Sequence, residues 1–134
     1  MAAPFGDGMA TAVDLASGPD RTSVLLENPP AAWLDVLHER QRQVSGEGWT
    51  PEHDDATKGG KIAGAAACYT LQALLDDIPA PDHRQTIMAN IRALWPWSFE
   101  RWKPTTKRRD LVKAGALILA EIERIDRAAQ RAEG

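Results

Sequence analysis

With 134 residues and no second hydrophobic block, the chain has material for one domain and one modest core. A formal net charge of -3 gives no global case for nucleic acid or an anionic membrane surface, and no apolar run reaches the ~18 residues of a membrane span. The single cysteine, Cys68, excludes an internal disulfide framework and suits a reducing cytoplasm.

Residues 1–27 are small, polar and rich in Gly, Ala and Pro, without a sustained period. They are expected to be a flexible tail, with Met9 an alternative start, ahead of a single helical domain over residues 28–134. Asn28-Pro29-Pro30 has the chemistry of a helix start. Leu34, Leu37, Gln41 and Val44 then follow one helical stripe with Trp33 beside it, and Ser45-Gly46 closes the helix. An acidic loop is expected from Glu47 to Gly60.

A second helix is expected from Lys61 to about Asp77, with Ile62, Ala66, Tyr69 and Ala73 on one face. Its Gly64-Ala65-Ala66-Ala67 surface is small enough for another helix backbone to approach closely. Ile78-Pro79-Ala80-Pro81 breaks it, and Asp82 is the expected cap of a third helix through Ile87, Ile91 and Leu94. Pro96 and Pro104 keep Trp95 to Lys103 out of regular helix. From Thr106 onward, Leu111, Gly115, Ile118, Ile122, Ile125 and Ala129 alternate steps of four and three, an apolar stripe expected to face the core. No strand pattern is present. The expected fold is all-α, a single small domain of about four helices with long acidic and Trp/Pro-rich loops.

Two irregular segments carry the chemistry. Glu47, Glu52, Asp54 and Asp55 surround Trp49 and His53 in one; Trp95, Trp97 and Trp102 stand beside Arg101 and Lys103 in the other. Lys107, Arg108 and Arg109 follow at once, in the first turn of the last helix. Cations there oppose the helix dipole by roughly 0.3–1 kcal/mol each. An anion docked at that helix end would reverse the conflict, and guanidinium forks suit phosphate. Indoles beside arginines suit a nucleotide base, although tryptophan also caps small cores. The loop acids Glu52, Asp54 and Asp55, with Asp110 or Glu121, are oxygen donors suited to a divalent cation such as Mg²⁺ or Mn²⁺, with His53 as base or outer ligand. The plainer account has these acids pairing with the basic turn. Cys68 and His83 read as structural.

Three blocks carry a family resemblance. They are Glu39-Arg40-Gln41-Arg42-Gln43, the stretch Glu47 to Asp55, and Trp102-Lys103-Pro104 with Arg109 to Ile118. In that order the chain resembles a family of small accessory proteins of tailed phages and prophages over about residues 33–127. The resemblance implies a phage setting in the host cytoplasm and no particular reaction. Trp33, Arg40, Gly48-Trp49 and Arg109-Asp110 are also similar to the ryanodine-receptor repeat, some of whose members bind adenine nucleotides. Thr50-Pro51 stands where that repeat has Tyr-Gly, and its second half is absent.

The expected function is binding of a nucleotide or nucleotide-derived signal by Arg40, the acidic segment, the tryptophans and the basic turn from Lys103 to Asp110. Sequestration of a host-defence signal would follow. The alternatives are a metal-dependent nucleotide pyrophosphohydrolase and a module that inserts its Trp-rich segment into a host protein. The Ala-rich helix and the long last helix suit a homo-oligomer as readily as a monomer.

Overall fold

The computed structural model describes residues 21–57 and 60–134, and all regular structure among them is helical. The chain divides into two compact units, residues 1–34 and 35–134. Of the stretch expected as a tail, residues 1–20 lie outside the described residues. The remainder, Arg21–Glu27, is a short helix, α1, with no buried residue. Asn28 donates its amide to the Val24 carbonyl at 3.0 Å, so it ends α1 instead of starting the next helix. That helix, α2, is Ala31–Gly46, and the Pro30 carbonyl accepts from the amides of Trp33 and Leu34.

The acidic segment is not wholly a loop. Thr50 caps a helix, α3, over Pro51–Ala56: its side chain accepts from the His53 amide at 3.2 Å, and proline fills the first helical position. Glu52 and Asp54 in that first turn complement the helix dipole. Gly48 precedes it at φ 77°, a left-handed turn that delivers Trp49 into the core.

Helix α4 spans Lys61–Leu74 and buries Ile62, Ala66, Tyr69 and Ala73 as the periodicity predicts, together with Ala65 and Cys68. A 3₁₀ turn, Leu75–Asp77, ends it, and Arg84 donates to the carbonyls of Leu75 and Ile78. Helix α5 is Pro81–Leu94. Ala80 occupies its cap position and Pro81 the first turn, so Asp82 lies inside the helix rather than capping it. Gly64 allows the close approach expected of the small surface: a Cβ there would stand 3.2 Å from the Leu94 carbonyl.

After the irregular Trp-Pro-Trp segment and a 3₁₀ turn, Phe99–Arg101, helix α6 runs from Lys107–Glu133. Thr106 caps it, accepting from the Arg109 amide at 3.2 Å. The core joins α4, α5 and α6 through Cys68, Tyr69, Ile91, Ala114, Leu117 and Trp95.

Two expected apolar stripes do not face that core. On α6 the buried apolar residues are Val112, Ala114, Ala116, Leu117 and Ala120, while Leu111, Ile118, Ile122 and Ile125 are exposed. On α2 the buried residues are Glu39, Arg40 and Gln43, while Leu34 and Leu37 are exposed. The polar face of α2 turns inward because its charges meet partners there. No described helix is long and apolar enough to cross a membrane.

Candidate functional site

The basic first turn of α6 is met by acids from other elements. Lys107 pairs with Asp77, Arg108 with Asp35 at 2.9 Å, and Arg109 with Glu39. The anion inferred for this helix end is therefore supplied by the protein's own carboxylates. Lys107 and Arg108 are consumed in that way, at the exposed surface. Asp110 is buried behind them and accepts the Thr105 amide at 2.8 Å. Burial raises its pKa, against the opposing pull of that amide and of Lys113.

The α3 acids are divided in the same manner. Arg40 donates to Asp54 and Glu123, each at 3.0 Å, and to the Trp49 carbonyl at 3.3 Å. Asp55 accepts from Arg127 at 3.0 Å and Arg131 at 3.2 Å. Glu52 is exposed, and His53 leans on Asp54 through Nδ1 at 3.2 Å. Among the described residues no cluster of three or more His, Cys, Asp or Glu side chains could hold a metal ion. The three candidate metal acids are dispersed along α3: Asp54 faces Arg40, Asp55 faces Arg127 and Arg131, and Glu52 points to solvent.

The tryptophans pack mainly on one another. Trp49 meets Trp97 at 5.0 Å between ring centroids, and Trp95 meets Trp97 at 5.4 Å and Trp102 at 4.8 Å. Tyr69 joins them at 4.7 Å from Trp102. Trp95 is buried, with its indole N–H on the Ser98 carbonyl at 3.1 Å. Trp49 and Trp95 are core residues, with Trp97 and Trp102 partly buried against them; Trp49 and Trp97 also line the hollows beside them.

The first of these hollows is a cleft with a volume of about 320 Å³. Its walls are Glu39, Arg42, Gln43, Glu47, Trp49, Tyr69, Arg101, Lys103, Thr105, Arg109 and Lys113. A second hollow of about 320 Å³ shares Glu47, Trp49 and Arg101 with it and adds His53, Trp97 and Ser98. The acidic and the basic aromatic segments thus do meet along one wall. Of the residues singled out in the sequence, Trp49, His53, Trp97, Lys103 and Arg109 line these hollows. Arg40, Glu52, Asp54, Asp55, Trp95, Trp102, Lys107, Arg108 and Asp110 do not.

Five cations and two carboxylates surround the first cleft. Glu39, wholly buried, accepts from Arg42 at 2.8 Å through both oxygens and from Arg109. Burial acts to raise its pKa, but the Arg42 and Arg109 charges prevail and hold the carboxyl below its ordinary range. Lys113, 8% exposed, donates to the Lys103 carbonyl and stands 5.4 Å from the centre of the Tyr69 ring. Burial lowers its pKa. The side chains of Arg101 and Lys103 make no ion pair among the described residues.

Gln43 is the most telling member. It is 1% exposed, its amide nitrogen donates to Glu39 at 3.2 Å, and its Oε1 has no partner among the described residues. A buried carbonyl without a donor costs about 1–3 kcal/mol, so its retention beside a cleft calls for a ligand or ordered water. Sequence reasoning missed Gln43, Arg42, Tyr69 and Lys113 as site residues. A signal was available for the last, a lone lysine inside Leu111-Val112-Lys113-Ala114-Gly115-Ala116.

No protein-family model, curated protein or solved structure matches the chain.

Proposed function

We propose that this chain is a binding protein for a small phosphorylated ligand, a nucleotide or nucleotide-derived signal. The observation that carries the reading is the surplus of cations in a cleft walled by Trp49 and Tyr69, where, among the described residues, Arg101 and Lys103 make no ion pair and the Gln43 carbonyl has no donor. Phosphate would take Arg101 and Lys103, which no carboxylate among the described residues pairs. A base would lie in the adjoining hollow against Trp97, with Glu47 and Ser98 available to its polar edge. Each hollow falls at the small end of ligand pockets, the scale of one mononucleotide across both.

The arrangement favours holding over turnover, because Asp54 and Asp55, two of the three carboxylates that would recruit a metal, are committed to arginines. In the tailed-phage setting implied by the resemblance of residues 33–127, a protein that holds a nucleotide signal without consuming it would act by sequestration in the host.

The test is titration with mononucleotides, cyclic dinucleotides and inorganic phosphate, read by tryptophan fluorescence and calorimetry. Binding is expected for at least one nucleotide, weakened at least tenfold in the Arg101→Ala, Lys103→Ala double variant, with the nucleotide recovered intact. No binding across the panel would refute the reading. Nucleotide recovered as hydrolysis products in the presence of Mg²⁺ would move it to the enzyme class.

A further inference from the structure

Helix α6 has two apolar faces and the fold covers one. Leu111, Ile118, Ile122 and Ile125 are each about half exposed, from 45% to 51%. Their spacing places them on a single line along the helix. Beside this ridge α4 presents small residues, and Ala63, Ala67 and Thr70 with Ile118 and Ile122 line an apolar groove of about 440 Å³. Contiguous apolar surface of that kind marks an interaction site.

We infer that this face joins two copies of the chain, with their α6 helices antiparallel about a two-fold axis at Ile118. Two features select a second copy, which an isologous two-fold contact would set ridge against ridge. Leu111 and Ile125 stand seven residues either side of Ile118, so in the antiparallel arrangement each faces the other across the axis. The charges agree as well. Arg108 and Asp126 are eighteen residues apart, five whole turns, and so flank the stripe on the same side. Antiparallel pairing brings Asp126 of one copy towards Arg108 of the other; parallel pairing would set like on like. Asp126 is exposed and makes no ion pair among the described residues, and Arg108 is exposed beyond its contact with Asp35.

The size of the face sets the affinity. A stripe about 21 Å long and about 20 Å wide, two helices across, offers roughly 400 Å² per copy. A standard interface covers about 800 Å² per partner, so this dimer is weak and reversible.

Sedimentation velocity on the full chain, from micromolar to millimolar concentration, is expected to show mass rising from 14.7 kDa towards twice that value. Ile118→Asp should remain monomeric throughout with an unchanged helical circular dichroism spectrum, and Asp126→Arg should weaken the dimer several-fold. A mixture of Leu111→Cys and Ile125→Cys chains should form mixed disulfide dimers on oxidation, with far less from either alone; buried Cys68 does not interfere. Self-linking of each variant in preference to mixed linking would overturn the antiparallel geometry. A wild-type chain that stays monomeric would overturn the proposal, whether the face is then covered within one chain or by another protein.

Discussion

Arg40 donates to Asp54 at 3.0 Å, and both side chains are almost wholly withdrawn from water, at 9% and 3% exposure. The pair ties α2 to α3, and the same guanidinium reaches Glu123 on α6. Asp54→Ala deletes a buried charged hydrogen bond but leaves Arg40 with Glu123, so it is expected to destabilise the fold by about 1.5–3 kcal/mol in urea or thermal denaturation. Asp55→Ala, whose arginine partners are partly exposed, should cost far less. Equal effects from the two would contradict this division of labour. Loss of any activity in Asp54→Ala would report unfolding before it reported catalysis.

Two glycines in helix interiors should respond differently to alanine. At Gly64 the new methyl meets the Leu94 carbonyl at 3.2 Å, a backbone atom fixed at the end of α5. Overpacking of this kind costs about 1–3 kcal/mol and outweighs the gain in helix propensity of about 1 kcal/mol. At Gly115 the neighbour is the Val36 side chain at 3.3 Å, which can yield with a small shift of α2. Gly64→Ala should lower the urea midpoint, and Gly115→Ala should leave it within about 1 kcal/mol of wild type. A stabilised Gly64→Ala protein would mean that the α4–α5 contact is looser than described.

The helical class and the buried face of α4 were legible because Ile62, Ala66, Tyr69 and Ala73 combine small size with one period. The face of α6 was misread for a physical reason. That helix carries two apolar stripes, and the more hydrophobic one, through Ile118, Ile122 and Ile125, is the one left exposed. Periodicity measures how apolar a face is, not which neighbour it meets. On α2 the inward face is held by ion pairs, so a hydrophobic count selects Leu34 and Leu37 and passes over Glu39 and Gln43. The pairing of Arg109 with Glu39 joins residues 70 positions apart, beyond the reach of any local pattern. What could be read was that the basic turn needed anions, though not that the fold itself supplies them.

Glu39 predicts a feature of the acid limb. Burial would raise its carboxyl, yet Arg42 and Arg109 bring it below its ordinary 4.5. A carboxyl depressed by folding stabilises the protein above its unfolded value, and that stability is lost as pH falls through the folded one. Asp110, raised above 3.8 by burial, has the opposite sign and is relieved by acid. Between about pH 7 and about pH 3, wild type should lose its urea-midpoint advantage over Glu39→Gln progressively, mostly below about pH 4.5. A constant gap across that range would show that Glu39 is not depressed in the fold.

Gln43→Leu separates binding from stability. The substitution deletes a hydrogen bond to the charged Glu39, worth about 1.5–3 kcal/mol, and also deletes an unmet carbonyl that costs about 1–3 kcal/mol. The two nearly offset, so the denaturation midpoint should move little. Ligand binding should behave otherwise, because a donor on the ligand then faces a hydrocarbon wall. A loss of about tenfold in affinity, or about 1.4 kcal/mol, is expected by calorimetry for whichever nucleotide the wild type binds. Unchanged affinity with lowered stability would assign the Gln43 carbonyl to a buried water instead of the ligand.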